Sequence, residues 1–143
     1  DKPVIFVASG TGFAPIKSML EHIFRSENMR GSERQIVLYW GARTKADLYL
    51  AELAGSWQQT HDNFTFIPVL SEALPTDDWH GRSGLVHQAV LQDFDSLAGY
   101  QVYACGAPVM VAAAHTDFIQ LQGLPEEEFF SDMFTVSSSE PKL

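Results

Sequence analysis

The sequence predicts a three-layer α/β fold: a doubly wound parallel sheet with strand order 3-2-1-4-5. Three observations predict it. Short apolar runs alternate along the chain with segments whose apolar residues recur at helical spacing. Two of the joints use the same device, a strand followed by a glycine turn, a proline and a helix. Pro68 lies inside the third apolar run and cannot donate to a ladder, which puts that strand at the edge of the sheet.

Each element has its own signal. The first strand is Val4-Ile5-Phe6-Val7, and Ala8-Ser9-Gly10-Thr11-Gly12-Phe13-Ala14-Pro15 turns it into a helix with Ile16, Met19, Leu20, Ile23 and Phe24 on one face. Glycine there turns the chain tightly and leaves no Cβ in the path of a ligand. Proline fits the first helical position, where an N–H would be unpaired anyway. The second strand runs from Gln35 to Trp40. Thr44 with Asp47 resembles a capping box for a helix facing the core through Leu50, Leu53, Ala54 and Trp57. The third strand is Phe64 to Leu70, and a shorter helix covers about Leu85 to Gln92. The fourth strand, Tyr100 to Cys105, meets Gly106-Ala107-Pro108 and a helix marked by Met110, Ala114, Phe118 and Leu121. Gly123 ends that helix. Glu126-Glu127-Glu128 reads as a solvated turn, and Phe129-Phe130 as a short last strand.

At 143 residues the chain suits a single domain with a real core. Residues 1–3 read as a linker remnant, 4–134 as the folded domain and 135–143 as a tail. A start that enters a core strand almost at once reads as a piece cut from a longer protein at a domain boundary. The net charge of −9, with no basic patch, argues against nucleic acid and against an anionic membrane surface as partners. No apolar run approaches the roughly 20 residues that span a bilayer. The single Cys105 cannot form an internal disulfide, which makes a reducing cytoplasm the expected compartment.

A glycine turn opening a helix is an anion site in principle, because unpaired N–H groups and the helix dipole point at whatever sits there. Two such loops beside the point where strand order reverses would hold a dinucleotide. The common dinucleotide fingerprint is not met. Pro15 replaces its third glycine, and strand 2 ends in Trp40-Gly41-Ala42-Arg43 without an acid.

Four motifs in order give a better match: G-x-G-x-x-P after strand 1, Tyr39-Trp40-Gly41-Ala42-Arg43 after strand 2, Cys105-Gly106-x-Pro108 after strand 4, and Phe130-Ser131-Asp132-x-Phe134 at the end. Together they resemble the Rossmann-like nucleotide-binding half of the ferredoxin–NADP reductase superfamily, over about Pro3 to Phe134. Within it the chain is most similar to bacterial flavin reductases, oxygenase reductase components and CDP-6-deoxy-glucoseen reductases, with a lean toward the last. Trp79-x-Gly81-Arg82-x-Gly84 is similar to that branch as well. The flavin-binding Arg-x-Tyr/Phe-Ser motif of such reductases is absent from this chain, and one cysteine cannot hold an iron–sulfur centre.

The resemblance implies NADH as cofactor (NADPH less so), FAD on a domain outside this chain, and a possible iron–sulfur cluster elsewhere in the full protein. The implied partners are the flavin-binding domain and a downstream electron acceptor. It assigns Gly10, Thr11 and Gly12 to the nicotinamide and pyrophosphate side, with Pro15 setting the helix start. A Gly12→Val change is expected to abolish nucleotide binding and leave the fold intact. Cys105 is placed beside the nicotinamide ring as a packing group rather than a nucleophile. Gly106, Ala107 and Pro108 form the second cofactor loop. Asp132 and Phe134 match the Glu-x-Tyr spacing that ends photosynthetic relatives, although this chain continues past Phe134.

Arg43 carries a guanidinium suited to phosphate or ribose contact. Ser71 and Glu72 stand where NADP-preferring relatives place Ser-Arg. A carboxylate ~5 Å from a phosphate repels it by roughly 3 kcal/mol at an effective dielectric of ~20, which favours NADH. The five histidines show no metal pattern, and no Gly-x-Ser-x-Gly elbow is present. Two readings result. One is the nicotinamide-nucleotide module of a flavin-dependent reductase, inactive in isolation. The other is a non-catalytic nucleotide-binding or flavodoxin-like mononucleotide module.

Overall fold

The computed structural model describes residues 2–30 and 34–133. Among them six strands form one fully parallel sheet, ordered β4-β3-β2-β1-β5-β6. In chain order the elements are β1 (Val4–Ser9), α1 (Phe13–Arg30), β2 (Ile36–Ala42), α2 (Ala51–Thr60), β3 (Phe64–Leu70), β4 (Arg82–Ser83), α3 (Val86–Asp93), β5 (Gln101–Gly106), α4 (Pro108–Gln122) and β6 (Phe129–Met133).

The sheet is apolar on both faces because helices cover both. Alternate residues of β1 divide between the layers. Val4, Phe6 and Ala8 enter a core with Ile16, Leu20 and Phe24 of α1 and Ala54 and Trp57 of α2. Ile5 and Val7 enter the other, with Val86, Ala89 and Val90 of α3 and Val111, Ala114 and Phe118 of α4. Strand order reverses at β1, which pairs with β2 on one side and β5 on the other. The crevice of the sheet therefore opens beyond Ser9 and Gly106.

The expected order is present as β3-β2-β1-β5-β6, with one correction at the edge. The two-residue β4 lies outside β3 and pairs with Val69 and Leu70. Pairing begins immediately after Pro68, the residue that cannot donate, so β3 is an edge strand for most of its length.

Other boundaries shift for local reasons. Pro15 is the third residue of α1 rather than its first, because a 3-10 turn over Gly10–Gly12 leads directly into the helix. Proline is still tolerated in that first turn. Pro108 does open α4. Thr44 and Asp47 bracket a separate 3-10 turn, Lys45–Asp47, instead of capping α2. Val111, not Leu121, belongs to the buried face of α4, and Leu121 is exposed. Gly123 ends α4 with φ 72°, the left-handed conformation that favours glycine. Of the acidic turn, Glu128 is not simply solvated: it accepts from Lys2 Nζ and, at 3.0 Å, from Gln101 Nε2.

Candidate functional site

At the carboxyl ends of the strands lies a cleft of about 950 Å³, within the range of small-molecule sites. Its walls come from the ends of β1, β2, β3 and β5 and from the beginnings of the helices that follow. Gly10 and Thr11 line it below α1. Leu85, Val86 and His87 bring the start of α3, and Ala107, Val109 and Met110 the start of α4. The positive ends of the α3 and α4 dipoles thus meet one cavity, bordered also by the turn that leads into α1.

The two glycine loops are locked together. Ser9 Oγ accepts the Ala107 N–H at 3.0 Å. Gly106 has φ 141°, and a Cβ there would lie 2.2 Å from Ser9 Oγ. A Cβ on the buried Gly12 would lie 2.1 Å from the Cys105 carbonyl oxygen and 2.9 Å from Gly106 Cα. The glycines let loop approach loop. Trp40 fixes the first loop from below: its Nε1–H donates to Gly10 O at 3.0 Å, and its ring stacks on Phe13 at 4.0 Å. Tyr49 stands edge-on to Trp40 at 5.4 Å and presents a half-exposed ring to the cleft.

Among the residues expected from sequence, Gly10, Thr11, Arg43, Ser71, Gly106 and Ala107 line the cleft. Gly12, Pro15, Glu72, Cys105 and Pro108 stand beside it without forming its wall. Because Gly12 packs against backbone, the expected intact fold of a Gly12→Val variant is corrected: a larger side chain strikes the Cys105 peptide. Glu72 is exposed, and its N–H donates to Arg43 O at 2.9 Å. Asp132 is exposed on β6, with its Cα in register with that of Cys105. Phe134 lies outside the described residues.

Cys105 is fully buried, and burial, reinforced by the charge of Asp132, pushes its thiol up to about 11. The group is a neutral thiol at physiological pH, poorly suited to nucleophilic attack. It can pack against a ring but not act as an anion.

Sequence reasoning missed Ser9, Asp47, Tyr49 and the segment Gly84 to His87. The last had a signal in Trp79-x-Gly81-Arg82-x-Gly84. Trp79 Nε1–H donates to Arg82 O at 2.7 Å, and a Cβ on Gly81 would sit 2.6 Å from the Trp79 ring. Arg82 reaches Asp93 at 2.8 Å and Gln92 at 3.0 Å, and Gly84 turns with φ 112° into α3. The motif folds the connection that delivers the start of α3 to the cleft. His87 is buried there, 3.5 Å from the Asp117 carboxylate of α4.

A family model for the oxidoreductase NAD-binding domain matches residues 6–116. The chain belongs to that family. Protein RfbI of Salmonella typhimurium is 46% identical over 139 residues, 97% of this chain and 40% of that protein. The CDP-6-deoxy-L-threo-D-glycero-4-hexulose-3-dehydrase reductase of Yersinia pestis is 43% identical over 135 residues, 94% of this chain and 39% of that protein. Among solved structures, an Amycolatopsis cytochrome P450 reductase, GcoB, superposes with a TM-score of 0.81 at 28% identity, covering 94% of this chain and 38% of that one. The chain therefore spans about two fifths of the length of these relatives. A family of NAD-binding oxidoreductase domains with this cleft favours the reductase reading over the non-catalytic one. No helix among the described residues is long and apolar enough to cross a membrane.

Proposed function

We propose that this domain binds NADH in the cleft and presents its nicotinamide to a flavin held by another part of the same protein. The observation that carries the proposal is the convergence of the turn leading into α1 and the starts of α3 and α4 on one cleft at the switch point of the sheet. A dinucleotide brings two phosphates, and those helix starts favour negative charge without needing a basic surface.

The residues divide the work. Gly10 and Thr11 leave room for the pyrophosphate beside the first turn of α1. Arg43, which forms no ion pair among the described residues, offers its guanidinium from the end of β2. Cys105 and Gly106 back the nicotinamide end, where the neutral thiol fills space without competing for a proton or hydride. Ser9 keeps that end rigid through its bond to Ala107. Asp132 follows on the same side, in register with Cys105 on the neighbouring strand. Ser71 and Arg43 bound the adenosine end.

When bound, the nicotinamide would supply a hydride to a flavin held outside this domain, for onward transfer of its electrons to an iron–sulfur centre or a separate acceptor. The domain's own contribution is orientation: a fixed ring position raises the effective concentration of donor relative to acceptor. By itself the domain is expected to be colourless and without turnover.

Calorimetric titration with NADH and NADPH tests the reading. Saturable NADH binding, weakened about tenfold or more by Arg43→Ala, is expected from the loss of one charge-assisted contact. Absence of binding to both nucleotides in the protein that retains its flavin domain would overturn it.

A further inference from the structure

We infer that Asp47 is the residue through which the cleft selects NADH over NADPH, an inference that rests on the NADH-binding reading above. The far end of the cleft is built by two loops that the backbone ties together. Ser71 N–H donates to Ala42 O and Glu72 N–H to Arg43 O, both at 2.9 Å. The Asp77 carboxylate accepts from Lys45 N–H at 3.1 Å and Leu74 N–H at 2.9 Å. Loop 43–47 is thereby held against loop 71–77.

Within that frame the acid on the cleft wall is Asp47, together with Arg43 and Ser71. Glu72, which sequence position favours, is not part of the wall. Thr44 Oγ1–H donates a long hydrogen bond to Asp47 Oδ2 at 3.3 Å; Oδ1 has no protein partner among the described residues. An ionised carboxylate is acceptor-only. It accepts a hydrogen bond from a ribose 2′-hydroxyl and repels a 2′-phosphate, the same discrimination that an acid performs in other dinucleotide folds. Arg43 on the same wall acts in the opposite sense. The structure thus opposes one acid to one base at the adenosine end, and removing the acid leaves the base to favour phosphate.

The test is a set of titrations of NADH and NADPH into the wild-type protein and the Asp47→Asn and Glu72→Gln variants. The readout is the ratio of the two dissociation constants, which partial unfolding leaves unchanged because unfolded molecules bind neither nucleotide. Wild type is expected to prefer NADH. Asp47→Asn is expected to lower that preference about tenfold while changing NADH affinity less than about threefold, and Glu72→Gln to leave the ratio within about twofold. An unchanged ratio in Asp47→Asn, or an equal shift in Glu72→Gln, overturns the assignment to Asp47. Equal wild-type affinity for both nucleotides also overturns it while leaving the cleft reading intact. No binding of either by the protein that retains its flavin domain overturns the cleft reading itself.

Discussion

The Cβ that Gly12 lacks would lie 2.1 Å from the carbonyl oxygen of Cys105. Two loops almost a hundred residues apart in sequence touch at that point, and neither has a flexible side chain there to yield. Gly12→Ala is therefore expected to destabilise the domain by about 2–3 kcal/mol or more, the usual range for overpacking. Gly10 makes the control. It has φ 55° but open space around its missing Cβ, and Gly10→Ala should cost about 1–2 kcal/mol from conformation alone. Urea unfolding of both variants separates the two causes. Equal losses would refute the close contact at Gly12.

Ser9 and Gly106 form the second half of this lock, and they are coupled. Ser9→Ala removes the acceptor for the Ala107 N–H, at a cost of about 1 kcal/mol. Gly106→Ala meets Ser9 Oγ at 2.2 Å and Ser9 O at 2.8 Å, with a backbone φ of 141° that alanine disfavours. The double variant should recover part of the Gly106→Ala loss, because Oγ is gone, but not all, because the carbonyl and the φ remain. A double-mutant cycle by thermal unfolding checks this. Complete recovery would mean that the hydroxyl alone demanded glycine.

Much of this architecture is legible in the sequence, because it depends on local rules. Helical spacing located α1 and α2, and Gly123 located the end of α4 to the residue, whereas Pro68 marked the edge only up to the point where β4 joins β3. The two loops were legible as a pair because each carries its glycine and proline in the same order. What escaped depends on tertiary position. Asp47 reads as a cap in the sequence, since nothing local shows that the turn Lys45–Asp47 breaks away from α2. Glu72 reads as facing the nucleotide, but its neighbour Ser71 lines the cleft and Glu72 does not, since side chains alternate along an extended segment. Leu121 fits the helical period of α4, but the buried stripe runs through Val111, Ala114, Phe118 and Gln122 and leaves Leu121 outside it. The Trp79 to Gly84 motif could be matched but not interpreted, because its partners Gln92 and Asp93 sit at the far end of a helix.

Cys105 gives a prediction in alkali. Its thiol lies at about 11, above its ordinary value of 9.0, so the folded state holds its proton more tightly than the unfolded chain. The contribution to stability is fully present below pH ~9 and is lost as pH rises through ~11. Wild type should lose more stability than Cys105→Ala between those limits, measured by urea midpoint at each pH. Reaction with a thiol reagent at pH 8 should be slow in the native state and fast on unfolding. A rapid native reaction, or parallel pH curves for the two proteins, would contradict a buried neutral thiol.

Asp93 gives the opposite sign in acid. Burial raises its carboxyl, but hydrogen bonds from Arg82 at 2.8 Å and Tyr39 Oη–H at 2.7 Å more than offset burial, and the net shift is downward. A lowered folded value means stability that is present above the unfolded carboxyl range and lost as pH falls through the folded value, below about 4. Asp93→Asn keeps the shape and removes the charge. It should be less stable than wild type by about 1–2 kcal/mol at pH 6, the scale of a hydrogen bond to a charged group, with the gap closing toward pH 3. The same carboxylate anchors Arg82 to the end of α3, whose first residues line the cleft. NADH affinity should therefore fall in Asp93→Asn although no atom of Asp93 forms the cleft wall. A stability gap that is constant from pH 6 to pH 3 would show that the charge is not what holds Tyr39 and Arg82 together.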